Sequence, residues 1–335
     1  MTATTTTDLQ YTDLPERAQR ALETFVPDDD LVNRQTEKFA DVQPREPDHD
    51  GDTEVLDGQT FTHHFVDVPG DQELVRWHYV EAGEGEPVVF LHGIPDSWFQ
   101  WHHQMAALAG ECRCIAVDLK GYGQSEKERG DYRHVGAAGQ LFAMLDQIGL
   151  DTFNLITHDR GTVQGDYIVA DHPDRVLRYG RGEQHLYHFN PAIAPQDQLF
   201  ADAPWSGLME DPKRFAVWVY AFVCNLPVAD SDMRRVIQEF SYPGTTRAVP
   251  RYFLSSNFRK EWIERRTRLL DAWRCPVTLL QGADSRSQPR EFYTDARDYI
   301  PNARSVHVRY IPGGHFWTLE SPQDSTEAIR EALSR

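Results

Sequence analysis

Three side chains in this 335-residue sequence have the chemistry and spacing for covalent catalysis. They are a carboxylate, Asp159, in His158-Asp159-Arg160-Gly161, and a late imidazole, His315, in Pro312-Gly313-Gly314-His315-Phe316, with a second carboxylate, Glu183 or Asp284, between them. A carboxylate side chain is ionised at neutral pH and needs no base to become a nucleophile. Attack on an ester carbonyl would give an anhydride, with no net progress. Attack on a saturated carbon bearing a leaving group gives an alkyl ester that water can later cleave. An epoxide or an alkyl halide is therefore the expected substrate class. The plain alternative for Asp159 is an N-cap of the helix that follows it.

Such a carboxylate must be lifted out of the sheet. Phe153–Ile156 is a short apolar run of the kind a buried parallel strand needs, and Gly161–Ala170 has helix-compatible composition. The turn between them is small–x–Asp–x–small, with Thr157 and Gly161 as the small residues, which is the layout of a strained nucleophile elbow. His315 follows the last expected strand, Val306–Ile311, and its neighbouring glycines permit close backbone approach. The imidazole needs a carboxylate on its other nitrogen to fix its tautomer. Glu183, which closes the expected strand Val176–Glu183, is preferred over Asp284, which reads equally well as an ordinary turn residue. Backbone N–H groups of Ile94 and Arg160 are the candidate oxyanion donors, because His92-Gly93-Ile94-Pro95 lies between a buried strand, Pro87–Leu91, and a helix.

The remaining elements place these groups at one sheet edge. Residues 13–25 have helical spacing, Asp28-Asp29-Asp30 is expected to break that helix, and residues 43–53 read as a polar linker. Phe61–Val68 and Leu74–Glu81 are strands joined by a Pro-Gly-Asp turn, and helices are expected at about 99–108, 134–148, 288–299 and 322–334. Strands alternating with helices imply a mostly parallel, doubly wound α/β sheet. Residues 188–270 are aromatic-rich, helical in period and without strand signals, so they are expected to form a helical cap inserted after the sixth strand. The division is thus an N-terminal arm and linker over 1–55, a core over 56–187 and 271–335, and a cap over 188–270.

A formal charge of −18 opposes a nucleic-acid or anionic-membrane partner, both of which need basic surface. Cys112, Cys114, Cys224 and Cys275 show no metal or redox spacing, and Cys112 and Cys114 are expected to face the same way as buried thiols. The spacing of Glu183, His185 and His188 is poor for a metal, and neither metal nor cofactor is expected. With no signal peptide and no membrane-spanning apolar run, a cytoplasmic protein acting on a small molecule is expected, its arm a candidate dimer contact.

The stretch His92-Gly93-Ile94-Pro95-Asp96-Ser97-Trp98 resembles the His-Gly-Phe-Pro-Glu-Ser-Trp motif of α/β-hydrolase-fold epoxide hydrolases. Asp118-Leu119-Lys120-Gly121-Tyr122-Gly123, His158-Asp159-Arg160-Gly161 and the segment around His315 fit the wider group of epoxide hydrolases and haloacetate dehalogenases. The resemblance covers about residues 85–185 and 275–335. It implies the α/β-hydrolase fold, a covalent ester on Asp159, and water activated by His315. Arg160, where epoxide hydrolases carry Trp, and an acid after the sixth strand are dehalogenase-like, whereas Val163 replaces the second Arg of fluoroacetate dehalogenases. An epoxide needs a phenol to protonate its alkoxide, and a halide needs fixed N–H donors. The segment Trp218–Phe222 resembles the first tyrosine helix of epoxide hydrolase caps, which makes Trp98, Trp218, Tyr220 and Tyr252 the substrate-side candidates, with Tyr242 and Trp205 nearby. Epoxide hydrolysis is the leading expectation. Dehalogenation of haloalkanoic acids or haloalkanes, with Arg160 anchoring a carboxylate, is the second, and a non-catalytic binding scaffold the third.

Overall fold

The computed structural model describes residues 29–70, 73–190 and 193–335. Its frame is a nine-stranded sheet in the order β1-β2-β3-β5-β4-β6-β7-β8-β9. The strands are β1 (Thr53–Leu56), β2 (Gln59–Pro69), β3 (Leu74–Ala82), β4 (Pro87–Leu91), β5 (Arg113–Val117), β6 (Phe153–His158), β7 (Val176–Gly182), β8 (Val277–Gly282) and β9 (Val306–Ile311). The ladders from β1 to β3 and between β3 and β5 are antiparallel, and all others are parallel. Every residue of β6 and β8 is buried, because helices cover both faces of the parallel half. In the antiparallel strand β2, by contrast, only Phe61, His63 and Val68 are buried.

Several sequence expectations are corrected. The helix expected over residues 13–25 lies outside the described residues. Whether Asp28-Asp29-Asp30 ends that helix lies outside them as well; Asp29 and Asp30 open a helix, Asp29–Lys38, where carboxylates in the first turn complement the helix dipole. The sheet begins at Thr53, so a boundary at residue 55 cuts through β1. Four residues are too few for period-2 alternation to be read from sequence. The helical insertion consequently follows the seventh strand. The continuous helix expected at 288–299 is two short turns, Arg290–Tyr293 and Ala296–Tyr299, separated by Asp295, whose carboxylate accepts the Tyr299 hydroxyl at 2.6 Å.

The segment between β7 and β8 contains helices and no strand among its described residues. Its longer helices are Ala194–Ala201, Pro212–Val223, Asp230–Phe240, Pro250–Ser255 and Phe258–Glu264. Local chemistry starts two of them: the Asp211 carboxylate accepts the N–H groups of Lys213 and Arg214, and the Asn257 amide oxygen accepts that of Lys260. Cys112 and Cys114 are buried free thiols on one side of β5, their sulfurs 3.6 Å apart. No helix among the described residues is long and apolar enough to cross a membrane.

A buried ion cluster fixes the helix that follows β6 (Asp159–Asp171) to the strand beside it. Asp166 accepts Arg181 of β7 at 2.9 and 3.0 Å, Arg265 at 2.5 Å and the Tyr179 hydroxyl at 2.8 Å. Burial opposes its charge, but the two guanidinium groups outweigh this and hold the carboxyl below its ordinary range. Asp166→Asn leaves two buried cations short of one negative charge and is expected to cost about 3–5 kcal/mol. Urea unfolding of the variant against the parent measures it.

Candidate active site

The strand β6 ends at His158 with extended backbone, and Asp159 then turns to φ +46°. Only a crowded turn keeps a non-glycine residue there. Gly161 makes the crowding possible, because a Cβ on it would lie 2.4 Å from the His92 carbonyl oxygen, to which the Gly161 N–H donates at 2.8 Å. Gly93 passes as closely on the other side, where a Cβ would meet the Asp159 Cβ at 2.4 Å. Asp159 is not an N-cap. No side chain caps that helix, and the Asp159 Oδ1 accepts the Ile94 N–H at 3.1 Å instead.

His92 holds the opposite wall. Its Nε2 accepts the Leu119 N–H at 2.9 Å and its Nδ1 donates to the Gly93 carbonyl at 2.8 Å, while burial keeps the ring neutral. The Gly93 N–H donates to Gln100 Oε1 at 3.2 Å, and the Trp98 N–H to Asp118 Oδ1 at 2.8 Å. The whole loop from His92 to Trp98 is thereby tied down on both sides of the Ile94 donor.

Opposite it, His315 Nε2 lies 3.7 Å from Asp159 Oδ2, and its Nδ1 lies 3.1 Å from Glu183 Oε2. Glu183, at φ +51°, is itself cradled: Oε1 accepts the Gly282 N–H at 2.5 Å and Oε2 the Ser285 hydroxyl at 2.7 Å. His158 Nε2 meets the His315 carbonyl at 2.7 Å and fixes that loop. Burial pushes the His315 ring down, but the hydrogen bond and charge of Glu183 outweigh it, so its pKa stands above the ordinary histidine range. Asp284 is the carboxylate that the structure leaves out. It is exposed, and its N–H donates to the Gly313 carbonyl at 3.0 Å, so it belongs to a turn on the far side of Gly282.

These groups open into a small cavity of ≈ 50 Å³. Asp159, Glu183, Gln184, Ser287, Gln288 and His315 supply its polar lining, and Ile94, Ile193, Phe200, Val219, Phe222, Val223 and Phe258 its apolar walls. The aromatic candidates named from sequence do not line it. Tyr220 turns its hydroxyl onto Asp96 (2.9 and 3.1 Å) and its ring onto Phe316, and Tyr252 donates to the Lys120 carbonyl at 2.8 Å. Trp98 packs in the core against Phe61 and His63, Trp218 stacks on Phe222 and meets Phe200 edge-on, and Trp205 is exposed. Tyr242 borders a separate surface groove. The faces of these helices are set by packing against one another, which single-helix periodicity does not encode.

The Arg160 side chain also departs from expectation. Its guanidinium is buried in a two-point pair with Glu261 at 2.7 and 3.1 Å, beside His134 and over the Phe253 ring, so it anchors the helical segment rather than a substrate carboxylate. Glu183, His185 and His188 do not converge, since His185 Nδ1 meets the Gln184 amide and His188 meets Asp295. Three polar residues of the lining carry no motif, Gln184, Ser287 and Gln288, and Asp96, which belongs to the His92–Trp98 motif, is not singled out from sequence. Ser287 Oγ lies 3.1 Å from His315 Nδ1, and burial pushes the Asp96 carboxyl up to about 8, so it holds its proton at neutral pH. Only the position of Ser287 and Gln288 in the loop leaving β8 hints at them in the sequence.

Residues 86–179 match the family model described as alpha/beta hydrolase fold. Epoxide hydrolase 1 of Siraitia grosvenorii is 36 % identical over 126 residues, 37 % of this chain and 40 % of that protein. A haloalkane dehalogenase of Psychrobacter cryohalolentis is 28 % identical over 271 residues, 75 % of this chain and 84 % of the relative. The match spans between 32 % and 59 % of the first five relatives. Among solved structures, the epoxide hydrolase CorEH without ligand superposes with a TM-score of 0.68 at 23 % identity, over 82 % of this chain and 99 % of that one. The chain has the α/β-hydrolase fold and is similar to epoxide hydrolases and haloalkane dehalogenases.

Proposed function

We propose that this protein is a hydrolase that opens an epoxide to a diol through a covalent ester on Asp159. One observation carries the reading: the two carboxylate oxygens face different partners, Oδ1 the Ile94 N–H at 3.1 Å and Oδ2 the His315 ring at 3.7 Å. Oδ2 attacks the substrate carbon, the carbon–oxygen bond breaks, and the ring oxygen becomes an alkoxide that takes a proton from solvent water. Oδ1 is then the carbonyl oxygen of the ester. His315, its Nδ1–H held by Glu183, accepts a proton from water that attacks Cγ, and the charge that grows on Oδ1 falls on the Ile94 and Arg160 N–H donors. Collapse breaks the Cγ–Oδ2 bond, the departing oxygen of the diol takes the proton from His315, and the Asp159 acid returns its proton to solvent as the carboxylate reforms. Residues 188–270 act as the cap that shuts water out. Among the described residues no lysine or arginine lines the cavity, which supports an uncharged substrate over a haloalkanoic acid.

A second reading, dehalogenation of a haloalkane by the same ester, is favoured by one feature: among the described residues no phenol lines the cavity, and its neutral donors are the carboxamides of Gln184 and Gln288 and the Ser287 hydroxyl. A mixed panel of terminal epoxides and haloalkanes separates the two. Diol formation without free halide is expected, and halide release without diol would transfer the assignment to the second reading.

His315→Gln is expected to lower turnover by roughly 10²–10⁴ while leaving alkylation intact, so intact-mass spectrometry should show the chain heavier by one substrate. Absence of the adduct with both substrate classes would sink the ester mechanism and favour a binding scaffold. The hydrolytic step requires a neutral His315 ring, whose pKa lies above the ordinary 6.5. Single-turnover ester hydrolysis should therefore fall as pH drops through that raised value. In Glu183→Gln the limb should move to lower pH, because the group that favours the charged ring is gone.

A further inference from the structure

Away from the cavity, the turn between β1 and β2, a core helix and a helix of the inserted segment meet at four side chains. The core helix is His102–Leu108 and the inserted one is Asp230–Phe240. Asp57, His102 and His103 each offer one ligand atom, all within 4.8 Å of one another. Asp232 completes the group, its Oδ2 3.1 Å from His103 Nε2 and its Oδ1 3.8 Å from His102 Nε2.

The ring orientations are those of ligands. His102 Nδ1 donates to the Phe99 carbonyl at 2.8 Å, which leaves the lone pair on Nε2; that nitrogen has no hydrogen bond, although the side chain is 96 % buried, being only 4 % exposed. His103 is gripped from both sides, by Asp57 at Nδ1 and by Asp232 at Nε2. A carboxylate on the far nitrogen of a ligating imidazole is the usual outer-shell arrangement at zinc. We propose that this cluster is a binding site for a divalent transition-metal ion of the zinc class. His102 Nε2, His103 Nδ1 and the Asp57 carboxylate are its ligands, Asp232 anchors the second ring, and water fills the open side.

Bonds of about 2.0–2.2 Å set tetrahedral ligand atoms roughly 3.3–3.6 Å apart. The three ligand atoms lie within 4.8 Å of one another, with Asp57 and His103 Nδ1 in direct contact, so the ion enters by parting that contact. Nitrogen and oxygen donors in this ratio suit zinc, and they lack the all-oxygen shell that calcium or magnesium takes. The consequence is a cross-link: the anchor Asp232 lies in the inserted segment, the imidazoles in the core and Asp57 at the sheet margin, so the bound ion ties all three together.

The test is a calorimetric titration of the EDTA-treated full chain with zinc chloride, with retained zinc counted by elemental analysis after desalting. One tightly held zinc per chain is expected, together with a higher thermal midpoint. His102→Ala should abolish this binding, and Asp57→Asn, at a half-exposed turn position that the fold tolerates, should weaken it at least tenfold. His49→Asn, in an exposed pair with Asp52, should leave it unchanged. No stoichiometric zinc, or zinc held equally by the Asp57→Asn chain, overturns the proposal and leaves the cluster a hydrogen-bonded clasp.

Discussion

A carboxylate-bearing residue held at φ +46° between a buried strand and a helix is the constraint on which the rest of the molecule depends. Such a conformation costs about 1–3 kcal/mol for a residue with a Cβ. It persists because the surroundings leave no alternative: Gly161 lies against the His92 carbonyl, Gly93 against the Asp159 side chain, and the Ile94 N–H donates to the carboxylate. The same strain that raises Asp159 above the sheet aims its two oxygens at different partners. Positioning here is a backbone property, and the side chain inherits it.

Around that turn the fold uses buried charge for placement rather than for net stability. Asp166 joins the elbow helix to β7 and to Arg265, and Arg160, one residue beyond the turn, joins it to Glu261 in the inserted segment. Burying such pairs costs desolvation that their attraction only roughly offsets. What they give is direction, since a guanidinium that meets a carboxylate at two points tolerates little rotation. Glu183 works the same way on His315. Two carboxylates at positive φ, Asp159 and Glu183, leave neighbouring parallel strands at the same sheet edge, and the histidine loop after β9 spans the distance between them.

The cavity above them is mostly apolar. Its walls come from the helices Ala194–Ala201, Pro212–Val223 and Phe258–Glu264, which turn Phe200, Phe222 and Phe258 inward and keep their hydroxyl-bearing aromatics elsewhere. Tyr220 illustrates the trade. It lies one residue from Val219, which lines the cavity, yet its hydroxyl is spent on the buried Asp96 carboxyl.

The amino-acid sequence by itself determined the strand–turn–helix around Asp159, the parallel sheet, and the strand ends from which Glu183 and His315 emerge. Each of these is written in residues adjacent along the chain: an apolar run, a small–x–Asp–x–small turn, a Gly-Gly pair. Only the tertiary structure decided which carboxylate meets His315. Glu183 and Asp284 both leave strands at the same edge, and the difference lies in one turn that exposes Asp284 and buries Glu183. It also decided that Arg160 pairs with Glu261, 101 positions away, and that Tyr220 and Tyr252 point away from the cavity. A helix carries its period in its own residues, but the face it turns to a site is chosen by partners distant in sequence, through burial and hydrogen bonds that no local pattern records.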